Sequence, residues 1–232
     1  MYKHLYDKFQ NWYSNGSIWL YSDPHFADEE MKYLRKNPMS DEEQIKCINS
    51  KVGKNDTLII LGDIGDTSFV SKLKGYKILV MGNHDSGASN YKRKEHILPA
   101  SELNESSDMD FINRHYRKMH GSLIGDYYFY DNHLFDEVYE GPLFISDKIL
   151  LSHEPIDFPF ALNIHGHDHS GKFLSDANHI NVCAECIDYT PVNLKHIIEK
   201  GVLKNIDTIH RFTIDKATER KEIRGILEQY WY

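Results

Sequence analysis

The chain has 232 residues, 41% of them apolar and 27% charged, a globular composition that excludes disorder over most of its length. A net charge of −8 argues against a general polyanion-coating role, and three cysteines supply no disulfide framework. The longest apolar runs, such as Leu58-Ile59-Ile60-Leu61, stop far short of the roughly 20 residues a membrane span needs. Residues 1–15 mix Lys, Asp, His and Gln with apolar side chains and do not read as a secretory leader. The expectation is one cytoplasmic domain over 1–232, since a chain this long buries about 70–75% of its unfolded surface in a single core. Histidine is the outlier, with fourteen.

In chain order, a short strand is predicted at 17–21, then a helix at 41–52 opened by a Ser40–Glu43 capping box. A strand at 57–61, a short helix at 69–73 and a strand at 77–81 follow. The polar stretch 86–120, with Arg93, Arg114, His115, Arg117 and His120, reads as a loop-and-helix insert. The run Tyr127-Tyr128-Phe129-Tyr130 reads as a strand, with stacking on a ring as the alternative. Strands are predicted at 143–145, 148–151, 161–164 and 180–184. Cys183 and Cys186 fall inside the last pattern and read as core packing rather than a redox or zinc pair. These elements make a motif-bearing core at 17–192. The extension 193–232 holds helices at 194–200 and 217–230. The second carries an apolar stripe (Ile223, Ile226, Leu227, Tyr230) that either covers the core or pairs with a second copy. No internal repeat is visible, and the alternation of strands and helices argues for an α/β class with a layered sheet core.

Metal-ligand residue types stand at the carboxyl ends of five predicted strands. They are Asp23-Pro24-His25, Gly62-Asp63-Ile64-Gly65-Asp66, Gly82-Asn83-His84-Asp85, His153 and Gly166-His167-Asp168-His169. Open α/β sheets bind ligands outside those ends, so the five can converge on one crevice. Asp23 and His25, like His167 and His169, are two apart and share a side of an extended segment. Each motif alone has a plainer reading, as a chance pair (Asp23, His25), turn residues (Asp63, Asp66 and Asn83-His84-Asp85) or surface-loop histidines (His167, His169). All five in one chain, each after a strand, point to a metal centre.

With these motifs the sequence resembles the calcineurin-like metallophosphoesterases, defined by Asp-x-His, Gly-Asp-x-x-Asp, Gly-Asn-His-Asp/Glu, a later His and Gly-His-x-His. The Ser-Asp-x-His-Phe opening, and the Asn-x-x-x-Glu-x-x-x-Tyr-x-Pro-x-Asn stretch from Asn181 to Asn193, resemble a small, mostly bacterial subgroup. The resemblance implies a four-layered αββα sandwich and two metals bridged by Asp63. One metal would be held by Asp23, His25 and His169, the other by Asn83, His153 and His167. Mixed imidazole and carboxylate donors suit Mn, Fe, Zn, Co or Ni better than Mg or Ca, with Mn favoured. Two ions about 3.5–4 Å apart share a bridging hydroxide and clamp the phosphoryl group of an in-line displacement, so no Ser or Cys nucleophile is needed.

His84 is expected to act as general acid toward the leaving group, with Asp85 orienting it. Two residues depart from the pattern. Pro24 stiffens the first loop. Asp28 stands where relatives with the same opening often carry a histidine, so a supporting or substrate role there is expected to be lost. The expected function is a phosphodiesterase or phosphatase acting on a small nucleotide-type phosphoester. A nuclease on the same centre is disfavoured by the acidic balance. A non-catalytic scaffold on this fold is disfavoured because all seven ligands and His84 are present.

Overall fold

The computed structural model describes residues 5–13, 16–92, 95–104, 106–107, 109, 117–118, 127–130 and 134–207. Its strands are β1 (Ile18–Tyr21), β2 (Thr57–Ile60), β3 (Tyr76–Val80), β4 (Glu95–Leu98), β5 (Arg117–Lys118), β6 (Tyr127–Tyr130), β7 (Glu137–Tyr139), β8 (Leu143–Ser146), β9 (Ile149–Leu151), β10 (Leu162–His165), β11 (His179–Asn181) and β12 (Val192–Asn193). The α-helices are α1 (Glu29–Leu34), α2 (Asp41–Lys51) and α3 (Leu194–Glu199).

Two sheets form the body. The first has the order β12-β1-β2-β3-β7, parallel except for β12, and the second β11-β10-β9-β8, parallel except for β8. Their packing follows from alternation along each strand. Ile18 and Leu20 of β1, Ile59 of β2, and Ile78 and Val80 of β3 face the second sheet. There they share one core with Ile149, Leu151, Leu162, Ile164 and Ile180. The intervening Tyr21, Leu58, Ile60 and Leu79 turn the other way and pack under Ile45 and Ile48 of α2 and Val52, which caps its C-terminus.

The capping box that starts α2 forms as expected: Ser40 Oγ accepts from Glu43 N, and Glu43 accepts from Ser40 N. On the far face of the second sheet, Asn163 is buried yet fully used. Its Oδ1 accepts from Ile156 N at 2.8 Å and its Nδ2 donates to Ser152 Oγ at 2.8 Å, which pins the 154–160 loop across that face. The result is a mixed α/β architecture of two face-to-face sheets flanked by few helices, matching the expected class.

Four differences from the sequence reading have physical causes. The 86–120 region, expected as loop and helix, contributes β4 and β5, which sandwich β6 in a third, antiparallel sheet. Pairing partners so far apart in sequence leave no local periodicity to read. The strand expected over 180–184 stops at Asn181, and Ala184–Ile187 is a 3-10 turn. Helix α1 is missed because six residues are too short for a periodic signal, although Asp28 caps it by accepting from Met31 N. The short helix at 69–73 is a 3-10 helix over Thr67–Lys72. Arg93, Arg114, His115, His120 and the 217–230 helix lie outside the described residues. Among the described residues no helix is long and apolar enough to cross a membrane.

Candidate metal centre

The carboxyl ends of β1, β2, β3, β9 and β10 meet at one edge of the two-sheet body, and the backbone there is strained. Asp23 (φ 55°), His25 (φ 46°), Asp63 (φ 53°) and His167 (φ 64°) all hold left-handed conformations. Such residues cost of order 1–3 kcal/mol each and persist where surrounding structure over-determines them. Gly62 (φ 93°) makes the approach of two loops feasible, since a Cβ there would lie 2.6 Å from the Gly82 backbone.

Asp63 occupies the middle. Its Oδ1 accepts from the His84 backbone N–H at 3.0 Å, while Oδ2 faces His25 Nε2 at 3.6 Å and His153 Nε2 at 3.4 Å. One carboxylate therefore belongs to two groups of donor atoms: Asp23, His25 and Asp63 on one side, Asp63, His153 and His167 on the other. Asn83 joins the second group, its Oδ1 lying 2.7 Å from His153 Nε2 and 3.1 Å from His167 Nδ1. His169 joins the first, with Nε2 at 3.7 Å from Asp23 Oδ1. All seven residues expected as ligands are thus drawn together.

Three of the histidines use the ring nitrogen facing away from the cluster to anchor the ring. His25 Nδ1 meets Asp28 Oδ2 at 3.1 Å, His153 Nδ1 meets the Leu61 carbonyl at 2.7 Å, and His169 Nδ1 meets Glu185 Oε1 at 3.0 Å. Each partner is an acceptor, so an N–H sits on Nδ1 and Nε2 points inward, its lone pair free wherever the ring is neutral. Asp28 therefore keeps a supporting role, contrary to the loss expected at that position.

The inward lone pairs need a cation. Asp23 Oδ1 and His25 Nε2 are buried without a hydrogen-bond partner. His153 Nε2 faces an amide oxygen, a carboxylate oxygen and, at 3.2 Å, His167 Nδ1. Burial alone would lower the His153 pKa, but the Asp63 and Asp23 carboxylates outweigh it and raise it to about 9. Burial does prevail at His25, whose pKa is lowered. The donor chemistry and the orphaned atoms fit divalent metals held on both sides of Asp63.

Asp85 serves the loops rather than His84. Its carboxylate accepts from the backbone N–H groups of Gly82 (2.8 Å), Asp63 (2.9 Å) and Ile64 (3.2 Å), stitching the β2 and β3 loops together. Replacing it with alanine would strand two buried N–H donors and is expected to cost roughly 3 kcal/mol. Thermal melts of metal-stripped wild type, Asp85→Ala and Asp85→Asn check this, with asparagine, which keeps one acceptor oxygen, falling in between. His84 itself is exposed, its ring centroid 5.8 Å from that of His25.

Sequence reasoning missed Arg35 as a site residue. Its guanidinium is buried, donates to the Asp23 carbonyl at 2.6 Å and ion-pairs with Glu185. Burial opposes ionisation of Glu185, yet His169 and Arg35 hold its pKa down at about 2. The signal for this support lay in the 181–193 stretch, whose Asn181, Glu185, Tyr189 and Asn193 are each anchored. Asn181 donates to the Asp168 carbonyl at 2.8 Å, Tyr189 to the Asn37 carbonyl at 2.8 Å, and Asn193 caps α3. Cys183 is buried with Sγ 3.1 Å from Glu185 Oε2 and 3.4 Å from His169 Nδ1, the outer nitrogen. It is placed behind the ligand ring, where its hydrogen bonding with Cys186 and its burial push the thiol pKa up.

Residues 16–184 match the sequence profile of a family described as calcineurin-like phosphoesterase. A solved structure, that of a protein of unknown function, AQ665 from Aquifex aeolicus, is similar at a TM-score of 0.50 and 22% identity, covering 79% of this chain and 98% of that chain. At that identity the likeness bears on the fold alone. No curated protein matches the chain.

Proposed function

The chain belongs to the calcineurin-like phosphoesterase family, and from that premise we propose that it is a metal-dependent phosphoester hydrolase acting on a small nucleotide-type substrate. The observation that carries the reading is Asp63, one carboxylate set between two groups of donors whose free lone pairs converge. Asp23, His25 and His169 would hold one divalent ion, Asn83, His153 and His167 the other, with Asp63 common to both and Mn the favoured metal. Bound there, such ions supply Lewis acidity toward a phosphoryl group and lower the pKa of water at the site.

The protein's own groups do the rest. Asp28, Glu185 and the Leu61 carbonyl fix the histidine tautomers, and Asp85 holds the Asp63 loop against the β3 loop. His84, exposed at the rim, carries the proton that the leaving oxygen takes from its imidazole N–H.

The test is hydrolysis of bis-p-nitrophenyl phosphate against p-nitrophenyl phosphate by metal-stripped protein resupplied separately with Mn, Ni, Zn and Mg. Turnover restored by a transition metal is expected, and the diester-to-monoester ratio separates phosphodiesterase from phosphatase. Bound metal without turnover on either ester would favour a scaffold on this fold. Absence of metal binding would overturn the assignment.

A further inference from the structure

Beside the ligand groups lies a cavity of about 560 Å³ between α1 and the 184–189 turn. His169 lines it, so the side chain that completes one ligand group also forms a wall of the cavity. That volume is within the range of small-molecule sites, roughly 300–1,000 Å³.

Three features say what it would hold. Met31 and Leu34 of α1 face it together with Tyr189, and Leu34 is 70% exposed, a large apolar side chain left in water at the mouth. Among the described residues that line the cavity, Lys36 is the lysine or arginine left to offer a cation, because Arg35 is committed to Glu185 and to the Asp23 carbonyl. A second phosphate or a polyphosphate would want more. Finally, part of the backbone strain is placed there. Among the described residues, seven non-glycine residues have positive φ; five are in the first loop (Asp23, His25, Ala27), the second (Asp63) and the last (His167). The other two, Asp188 (φ 48°) and Tyr189 (φ 54°), are consecutive on the cavity wall. Strain stored away from the ligand loops and tied down by the Tyr189–Asn37 hydrogen bond marks a second built surface.

We propose that this cavity is the subsite for the organic part of the substrate and takes an uncharged planar aromatic ring of the nucleobase kind. It rests on the phosphoester reading and deepens it. The phosphorus would sit at the ligand groups, and the ring would pass His169 to pack against Met31, Leu34 and Tyr189. Thioether and aliphatic side chains adapt to a flat ring without fixing its hydrogen-bonding edge.

Titration calorimetry of the full chain with adenosine, benzyl alcohol and inorganic pyrophosphate tests the chemistry. Metal-stripped protein is expected to bind adenosine more tightly than either other probe, and metal-loaded protein to bind adenosine as well. Leu34→Glu, at an exposed position outside the ligand set, should weaken it at least tenfold with metal stoichiometry unchanged. In the loaded protein, adenosine should raise KM for bis-p-nitrophenyl phosphate and leave kcat alone. Equal adenosine binding by Leu34→Glu, or tighter binding of pyrophosphate than of adenosine by metal-stripped protein, overturns the proposal. Benzyl alcohol binding as well as adenosine overturns the nucleobase assignment. Turnover without adenosine binding sinks the subsite while sparing the hydrolase reading; adenosine binding that Leu34→Glu weakens, without turnover on any ester, sinks the hydrolase reading and supports the ring site.

Discussion

Asp63→Asn should reduce metal-dependent phosphoester hydrolysis by on the order of 10³-fold while leaving the fold in place. The carboxylate is 2% exposed and is shared by both donor groups, so no other residue takes its position. Asparagine keeps the shape and retains an oxygen to accept the His84 N–H. Its amide N–H groups, however, would point where Oδ2 now faces His25 and His153, and would donate into the lone pairs a cation needs. The site would then be satisfied without metal. Metal analysis should find the content falling from two ions per chain to one or none, with an unchanged far-UV circular dichroism spectrum. A second readout follows from His153. In stripped wild type its pKa is raised to about 9, so the stability it contributes is fully present below its ordinary value near 6.5. That stability is lost as pH rises through about 9. The variant loses the Asp63 share of this shift but keeps that of Asp23, and should show a shallower slope in denaturation against pH. Two bound ions and full turnover in Asp63→Asn would sink the reading of Asp63 as the carboxylate shared by both metals.

How much of this could be read from the sequence depended on whether the signal was local. The seven donor residues were legible because each motif is a strand end, and strand ends of a parallel sheet meet at one edge whatever the loops between them do. The sheets were legible for the same reason, since runs such as Leu58-Ile59-Ile60-Leu61 are buried on both faces and need no partner to be recognised. Supporting contacts were less so. Asp28 looked like a loss because it was compared with a residue type, whereas in space its two oxygens serve His25 and the start of α1 at once. Asp85 was assigned by adjacency to His84. The backbone between β3 and the next turn instead curls its carboxylate onto the Asp63 loop, 22 residues earlier in the chain. Arg35 itself gave no sign, and only its partner Glu185 stood in a recognisable stretch, because what makes Arg35 part of the site is burial beside Glu185, a contact spanning most of the chain. The β4–β6 pairing failed for the same cause: cross-strand partners are neighbours only after folding.

His84→Ala separates proton delivery from metal holding, and its effect should depend on the ester tested. The His84 backbone N–H, not its ring, is what supports Asp63, so truncating the side chain leaves that hydrogen bond and the ligand groups intact. Metal content should therefore match wild type. For esters whose leaving group is an alkoxide, the departing oxygen needs a proton as the bond to phosphorus breaks. Loss of the imidazole should then cost about 10²–10⁴-fold in kcat. For p-nitrophenyl esters the leaving phenolate is stable as an anion, and the same variant should lose less than about tenfold, because general-acid assistance matters only where a proton must be supplied. Plotted against leaving-group basicity, the rate of His84→Ala should fall more steeply than that of wild type. The limb of its pH profile that reports the required acid should also disappear. Equal losses on both classes of ester, with metal retained, would instead assign His84 to binding the phosphoryl group. Its place at the exposed rim, with the ring 5.8 Å from that of His25 and the buried donors beneath, favours contact with what departs over contact with what stays bound.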